Sequence, residues 1–348
     1  MKSFIFCVLA IGISFFGVNA QNLDKQKNSI KYTQLPVKPL PQEITQYHIK
    51  TDLGYIYSGD SKTETLSKIK GAAQIPHLEK TESEGAEILV RLESYYKSEV
   101  KYETVTKTEK RDDKEVSVTY YYLTFSYKYP LYYEVKLPGE VDPYYTQFAN
   151  GSQDMKTYKS QEFRSSSDRG KWWGDNYKSV QSKLRTDLLN SNVSDMKSNV
   201  MKLFSYRKTV LYSRFFTVKK YKKFEYTDID AAWEKAKSAI DYINEGDIVF
   251  NDDFNNTMME AITMWQKVLD ESDVDDKKAR INKKVTEALY NNIFLAYSMM
   301  SDFEKAEEIK GIAEGRIGKK AIDNTYENWL NGRKQRFAAN EGNIPVSI

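Results

Sequence analysis

The 348-residue chain has a single cysteine, Cys7, and only two histidines, His48 and His77. One cysteine cannot build a disulfide framework. Neither histidine stands in a His-Glu-x-x-His pair or at ligand spacing from a second donor, so no zinc centre of that kind is expected. Charge of one sign is also missing. The 52 Lys and Arg against 49 Asp and Glu leave a net of +3, which makes no electrostatic case for a polyanion such as nucleic acid. The chain lacks a Gly-x-Ser-x-Gly elbow, a phosphate-cradling Gly-x-x-x-x-Gly-Lys-Ser/Thr loop and a Gly-x-Gly-x-x-Gly fingerprint, so no phosphate or dinucleotide cofactor is expected. Ser67/Lys70, Ser94/Lys97 and Ser98/Lys101 repeat a Ser-x-x-Lys spacing without the Lys-Thr-Gly box that would make it catalytic. Only one long apolar run occurs, Phe4 to Val18, which excludes a multipass membrane protein.

What is present is enough for a folded core. Hydrophobic residues make up 40% of the chain and aromatic residues 14%, above what a disordered chain carries, and the length suits about two domains. Residues 1–20 read as a secretory signal: Lys2 gives the positive start, the apolar run follows, and Val18-Asn19-Ala20 puts small residues at both recognition positions of a cut before Gln21. No Leu-x-x-Cys box precedes the cut. Cys7 lies inside this segment, so the mature chain has no thiol nucleophile or thiolate metal site. The Asn-Ala-Gln ending resembles export segments of Bacteroidota proteins. That resemblance implies a periplasmic, outer-membrane or cell-surface destination, with no transmembrane span after the signal is removed.

The expected fold class is α+β. Residues 21–34 are polar and read as a flexible lead-in. From 35 to 226 the pattern is β-rich with inserted helices. Strands are expected at Ala86–Tyr95, Ser117–Tyr129, Tyr132–Leu137 and Thr209–Tyr226, where β-branched and aromatic residues concentrate. Helical periodicity appears near 62–70 and 173–204, with Tyr177, Val180, Leu184, Leu188 and Leu189 near one face. The pairs Leu35-Pro36 and Leu137-Pro138 lie 102 residues apart and open segments of similar order, which raises a tandem β-α-β duplication against the alternative of coincidence. At Thr227-Asp228 the period changes, with Asp228 as the expected N-cap, and residues 227–338 read as helices. Pro345 is the one proline after residue 143. Residues 339–348 read as a tail.

In this helical part, Tyr290-Asn-Asn-Ile293-Phe294-Leu-Ala-Tyr297 matches the first helix of a tetratricopeptide repeat. Phe294 stands where the motif has Gly. Ser301-Asp302-Phe303 matches the turn, and Ala306 and Ala313 the small positions of the second helix. Ala261, Trp265 and Val268 give a poorer second match, after a polar turn at Asn251–Asn256. Ala261 and Ala306 stand 45 residues apart against about 34 in the family, so an insertion at Asp270–Lys283 is required. Residues 321–337, with Tyr326, Trp329, Leu330 and Phe337, would cap the array. The C-terminal third thus resembles tetratricopeptide repeats, and the resemblance implies antiparallel helical hairpins that bind a protein partner and contribute no catalytic residues.

The acidic clusters at Asp252-Asp253 and Asp270–Asp276 lack the turn glycine or terminal Glu of a calcium loop and read as solvated caps and loops. No metal site is expected. The stretch from Lys219 to Phe224 interleaves lysines with aromatics, which reads better as an edge strand protected by lysine than as a nucleic-acid surface. Trp172-Trp173 between Gly170 and Gly174, and the tyrosines of 119–145, are the unusual features. Buried packing and a binding surface compete for each. The candidate partner-binding residues are therefore Tyr121, Tyr127, Trp172, Trp173, Tyr290 and Tyr297. The expected function is a non-enzymatic binding or scaffold protein of the cell envelope, docking a protein partner through the helices or a Tyr-rich sheet. The alternative is a carboxylate-based hydrolase or binding protein for surface glycans.

Overall fold

The computed structural model describes residues 21–57, 59–220 and 224–347. The expected export segment and Tyr221-Lys222-Lys223 of the lysine-rich stretch lie outside them. In chain order the elements are β1 (Leu23–Gln34), β2 (Gln46–Leu53), α1 (Lys62–Ala72), β3 (Glu79–Lys80), β4 (Ala86–Leu92), β5 (Tyr96–Lys97), β6 (Lys101–Arg111), β7 (Lys114–Lys128), β8 (Leu131–Lys136), β9 (Tyr145–Phe148), β10 (Lys156–Lys159), α2 (Ser166–Phe204), β11 (Arg207–Val218), α3 (Thr227–Ile240), α4 (Asp252–Leu269), α5 (Lys283–Met299), α6 (Phe303–Ile317) and α7 (Asn324–Ala339). With 40% helix and 28% strand the fold is α+β. Among the described residues no helix is long and apolar enough to cross a membrane.

The chain forms two compact units. Among the described residues one comprises 21–33, 208–334 and 345–347, the other 34–207 and 335–344. The division therefore falls near residue 207, whereas the change of period placed it near 227. The polar lead-in and the tail are also corrected. Residues 23–34 form β1 beside β11, and Gln21 donates to the carbonyls of Ala279 and Arg280. β1 was hidden because Ile30, Tyr32 and Thr33 are its only fully buried residues. At the other end, the Asn340 amide donates to the Pro36 carbonyl, and the Val346 carbonyl accepts from Ile248.

In the first unit α3 packs on α4, α4 on α5 and α5 on α6. α5 runs through the core with every residue from Ala288 to Met299 buried, as a helix apolar nearly all round must be. The turn at Ser301-Asp302 joins it to α6, whose Ala306 and Ala313 are fully buried at the contact. Residues 270–282 form an irregular loop, where the insertion was expected. Asn251 caps α4 directly, so the expected polar turn at 251–256 is instead the start of a helix. Phe215 of β11 stacks on Trp265 at 5.7 Å and meets Trp233 at 5.5 Å.

The buried Asn292 side chain straps β11 to α5. Its Oδ1 accepts from the Phe216 N–H at 2.7 Å and its Nδ2 donates to the Phe216 carbonyl at 2.9 Å. Asn292→Ala leaves both backbone groups without these partners and is expected to lower the stability of this unit by about 2 kcal/mol. Faster hydrogen exchange confined to β11 and α5 would show it; unchanged exchange there would contradict it.

Asp228 is not the N-cap of α3. It lies one residue inside, where Arg280 donates to both of its oxygens at 3.0 and 2.6 Å. Burial works against its ionisation, but the hydrogen bonds and charge of Arg280 outweigh that and hold the carboxyl below its usual range. A carboxylate lowered in the folded state stabilises above its unfolded value, about 3.9, and that stability is lost as pH falls through the lower folded value. Asp228→Asn should therefore reduce stability at neutral pH and lessen its loss as pH falls below about 4. Acid titration by circular dichroism compares the two limbs.

In the second unit, β2 and β4 pair in parallel around α1, while β8 and β9 continue antiparallel to give the order β3-β2-β4-β8-β9. The inward faces of β4 and β8 (Ile88, Val90, Leu92, Leu131, Tyr133, Val135) share a core with Leu188, Met196, Val200 and Phe204 of α2. A second sheet is built on β7, with β10 on one edge and β5 and β6 along the other. The β6–β7 hairpin turns at Asp112-Asp113, both with positive φ (47° and 60°), the two-residue turn that matches strand twist. Of the two readings of the paired Leu-Pro segments, duplication is not reproduced. β2-α1-β4 closes in one parallel pair, but the matching later segment sends β9, β10 and β11 to three different sheets.

Candidate functional site

The second unit holds a tyrosine-lined cleft of about 810 Å3. Three segments build it. After β2 and β4 end, their chains stay side by side: Gly54 donates to the Leu92 carbonyl at 2.7 Å, Tyr55 N–H donates to Ser94 Oγ at 3.1 Å, and Tyr57 Oη donates to the Tyr95 carbonyl at 3.2 Å. This brings Tyr55 and Tyr57 against Tyr95 and Tyr96. β5 is then pinned antiparallel to β7, with Tyr96 opposite Lys128 and Lys97 opposite Tyr127. The third wall is α2, which presents Tyr177, Gln181 and Arg185 at spacings of four, one side of a helix.

The rings meet at right angles. Tyr55 and Tyr57 lie 4.8 Å apart at 88°, and Tyr57 and Tyr95 6.1 Å apart at 88°. The opening is flanked by large rings left in water: Tyr55, Tyr96 and Tyr177 are 62%, 50% and 44% exposed. Arg185 is held over Tyr57, 4.5 Å from the ring centre, by a bidentate pair with Asp60, Nε to Oδ2 at 2.6 Å and Nη2 to Oδ1 at 3.1 Å. The same pair walls a smaller cavity of about 120 Å3 that also touches Glu64, Lys68 and Tyr129.

Two polar groups of the cleft residues are unsatisfied. Tyr95 and Gln181 are each only 5% exposed. The Tyr95 hydroxyl and the Gln181 amide nitrogen have no hydrogen-bond partner among the described residues. A buried donor in that state costs about 1–3 kcal/mol. Burial raises the Tyr95 phenol far above its ordinary value, against the opposing charge of Arg185. Burial likewise pushes Tyr129 up to about 12. Both therefore remain neutral hydroxyls at physiological pH. The carboxylates of the two cavities are paired, Asp60 with Arg185 and Glu64 with Lys68 at 2.8 Å.

The six sequence candidates divide by unit. Tyr290 and Tyr297 are each 4% exposed, packed in the core because α5 is surrounded by its neighbours. Neither offers a partner surface, and this corrects the expectation. Tyr121, Tyr127, Trp172 and Trp173 are half-buried in the second unit. Trp172 lies 5.5 Å from Phe163, and Trp173 lies 5.7 Å from Phe125 and 5.3 Å from Tyr177. Tyr127 lies 6.3 Å from Tyr95, and Tyr121 bridges to Phe163 through the backbone. Tyr127 and Trp173 thus each pack on a tyrosine of the cleft lining, Tyr95 and Tyr177, without lining it themselves.

Sequence reasoning missed Tyr55, Tyr57, Tyr95, Tyr96, Gln181 and Arg185. One signal was available. Gln181, Arg185 and Asn192 fall on the same buried side of α2 as Leu188 and Met196, so the apolar stripe turns polar without leaving the interior. His48 and His77 are far from such chemistry: His48 lies 3.4 Å from Glu87 and His77 packs on Tyr206. No group of three or more His, Cys, Asp or Glu could hold a metal among the described residues. No protein-family model matches the chain, and comparison with curated proteins gives no match.

Proposed function

We propose that the chain is an exported, non-enzymatic binding protein of the bacterial cell envelope, and that its ligand enters the tyrosine cleft of the 34–207 unit. One observation carries this reading: a cleft lined by five tyrosines, three of which, Tyr55, Tyr96 and Tyr177, stand exposed at its rim. Ligand pockets are concave, largely aromatic, and carry a few polar groups that orient the ligand. Hydrolysis by a carboxylate pair needs an acid and a base or nucleophile free to act, whereas Asp60 and Glu64 are both held by cations. The buried positions of Tyr290 and Tyr297 favour the tyrosine-rich side over the helices as the docking surface.

The test is retention of envelope material on the immobilised full chain, compared with a Tyr96→Ala/Tyr177→Ala variant. Both rings are exposed, so the variant should fold normally. A ligand held by the wild type and released by the variant supports the reading. Equal retention by both moves the site elsewhere.

A further inference from the structure

We infer that the cleft binds an acidic saccharide, a short chain of pyranose rings carrying carboxylates. This rests on the binding-protein reading and names its ligand class.

The shape favours sugar. A cleft of about 810 Å3 is within the range for a ligand of a few rings, roughly 300–1,000 Å3. A pyranose has an apolar C–H face and a rim of hydroxyls. Successive perpendicular rings at Tyr55, Tyr57 and Tyr95 give a corner, in which one ring face takes the C–H surface and the next ring edge lies beside it. Parallel platforms, which stacked nucleobases require, are not what these rings form.

The polar groups fit the same ligand. Sugar hydroxyls donate and accept, as do the phenols of the lining. Tyr55, Tyr96 and Tyr177 add phenol hydroxyls at the rim.

The charge selects an acid. The lining carries Lys97, Lys178 and Arg185. Asp60 neutralises Arg185. Lys97 Nζ donates to its neighbour's carbonyl, Ser98, at 2.7 Å and lies 5.2 Å from the Phe125 ring centre. Neither Lys97 nor Lys178 has a carboxylate partner among the described residues. Two cations beside an aromatic corner suit carboxylates spaced along a uronic-acid chain.

The experiment is calorimetric titration of the full chain with trimers of galacturonate, glucuronate and mannuronate. Neutral galactose trimer and hexaglutamate serve as contrasts. At least one uronate should bind more tightly than both contrasts. Tyr177→Ala should weaken it about tenfold, and Lys178→Glu should weaken it several-fold, with the difference shrinking at high salt. Circular dichroism confirms that both surface variants fold. The inference is overturned if no uronate binds the folded wild type, if the neutral trimer binds equally well, or if hexaglutamate binds best. It is also overturned if Tyr177→Ala and Lys178→Glu bind like the wild type. Should the Tyr96→Ala/Tyr177→Ala variant release an envelope ligand that is no saccharide, the cleft reading stands and the sugar assignment fails. Should it release nothing, both fail.

Discussion

Arg185→Met is expected to lower the stability of the 34–207 unit by about 3 kcal/mol. The Arg185 side chain is 8% exposed and that of Asp60 19%, so the pair is mostly withdrawn from water. Methionine keeps much of the volume between Tyr57 and Tyr95 but removes both hydrogen bonds to Asp60. The carboxylate is then left beside an apolar wall. Breaking a buried pair from one side costs more than the pair itself contributes, because the remaining charge stays desolvated. Asp60 retains some contact with water, which keeps the effect toward the low end of that range. Adding Asp60→Asn to Arg185→Met should recover part of the loss. Urea unfolding followed by the fluorescence of Trp172 and Trp173, both in this unit, gives the comparison. The midpoint should fall with the slope unchanged. A wild-type midpoint in the single variant would mean that the pair does not hold the cleft wall.

The second large effect is at Gly85, immediately before β4. Its φ is +79°, and a Cβ there would lie 2.0 Å from the carbonyl oxygen of Gln46, the first residue of β2. Gly85→Ala thus meets two costs. The left-handed backbone disfavours a side chain, and the parallel β2–β4 contact must open to admit the methyl group. Together these are expected to cost about 3–5 kcal/mol. Gly139 separates the terms. Its φ is +82°, and a Cβ there would meet nothing within 4 Å, so Gly139→Ala should cost only about 1 kcal/mol. Gly85→Asn distinguishes them further, since asparagine tolerates the backbone angle but still brings a Cβ against Gln46. Thermal unfolding that finds Gly85→Asn close to wild type would remove the steric part of the argument.

Much of the secondary structure was legible because burial imposes a period. α1, α2, β4, β7 and β8 fall where apolar or aromatic residues recur at helix or strand spacing. α5 and α6 fall where the tetratricopeptide resemblance placed two helices. β6 was not legible, because Lys101–Arg111 is polar on both sides and largely exposed. It is a strand only because β7 supplies its hydrogen bonds. The N-cap at Asp228 failed for a related reason: a carboxylate that could cap a helix was taken by Arg280, 52 residues away.

The same distinction governs the site. Tyrosine abundance marked a surface worth attention, but abundance is the same for a ring inside a bundle and a ring at a cleft. Tyr290 and Tyr177 both sit on helices. One is enclosed because α5 is covered by its neighbours, and the other stands exposed beside the segments that follow β2 and β4. Composition and periodicity by themselves determined an α+β chain with a helical C-terminal part. They carried no information on which segments continue past their strands in register, or on which polar side chains are left buried without partners. Those depend on contacts between residues distant in sequence: Tyr57 with Tyr95, Asp60 with Arg185, Lys97 with the β7 edge. Local propensity cannot encode them, since each partner's environment exists only after the other has been placed.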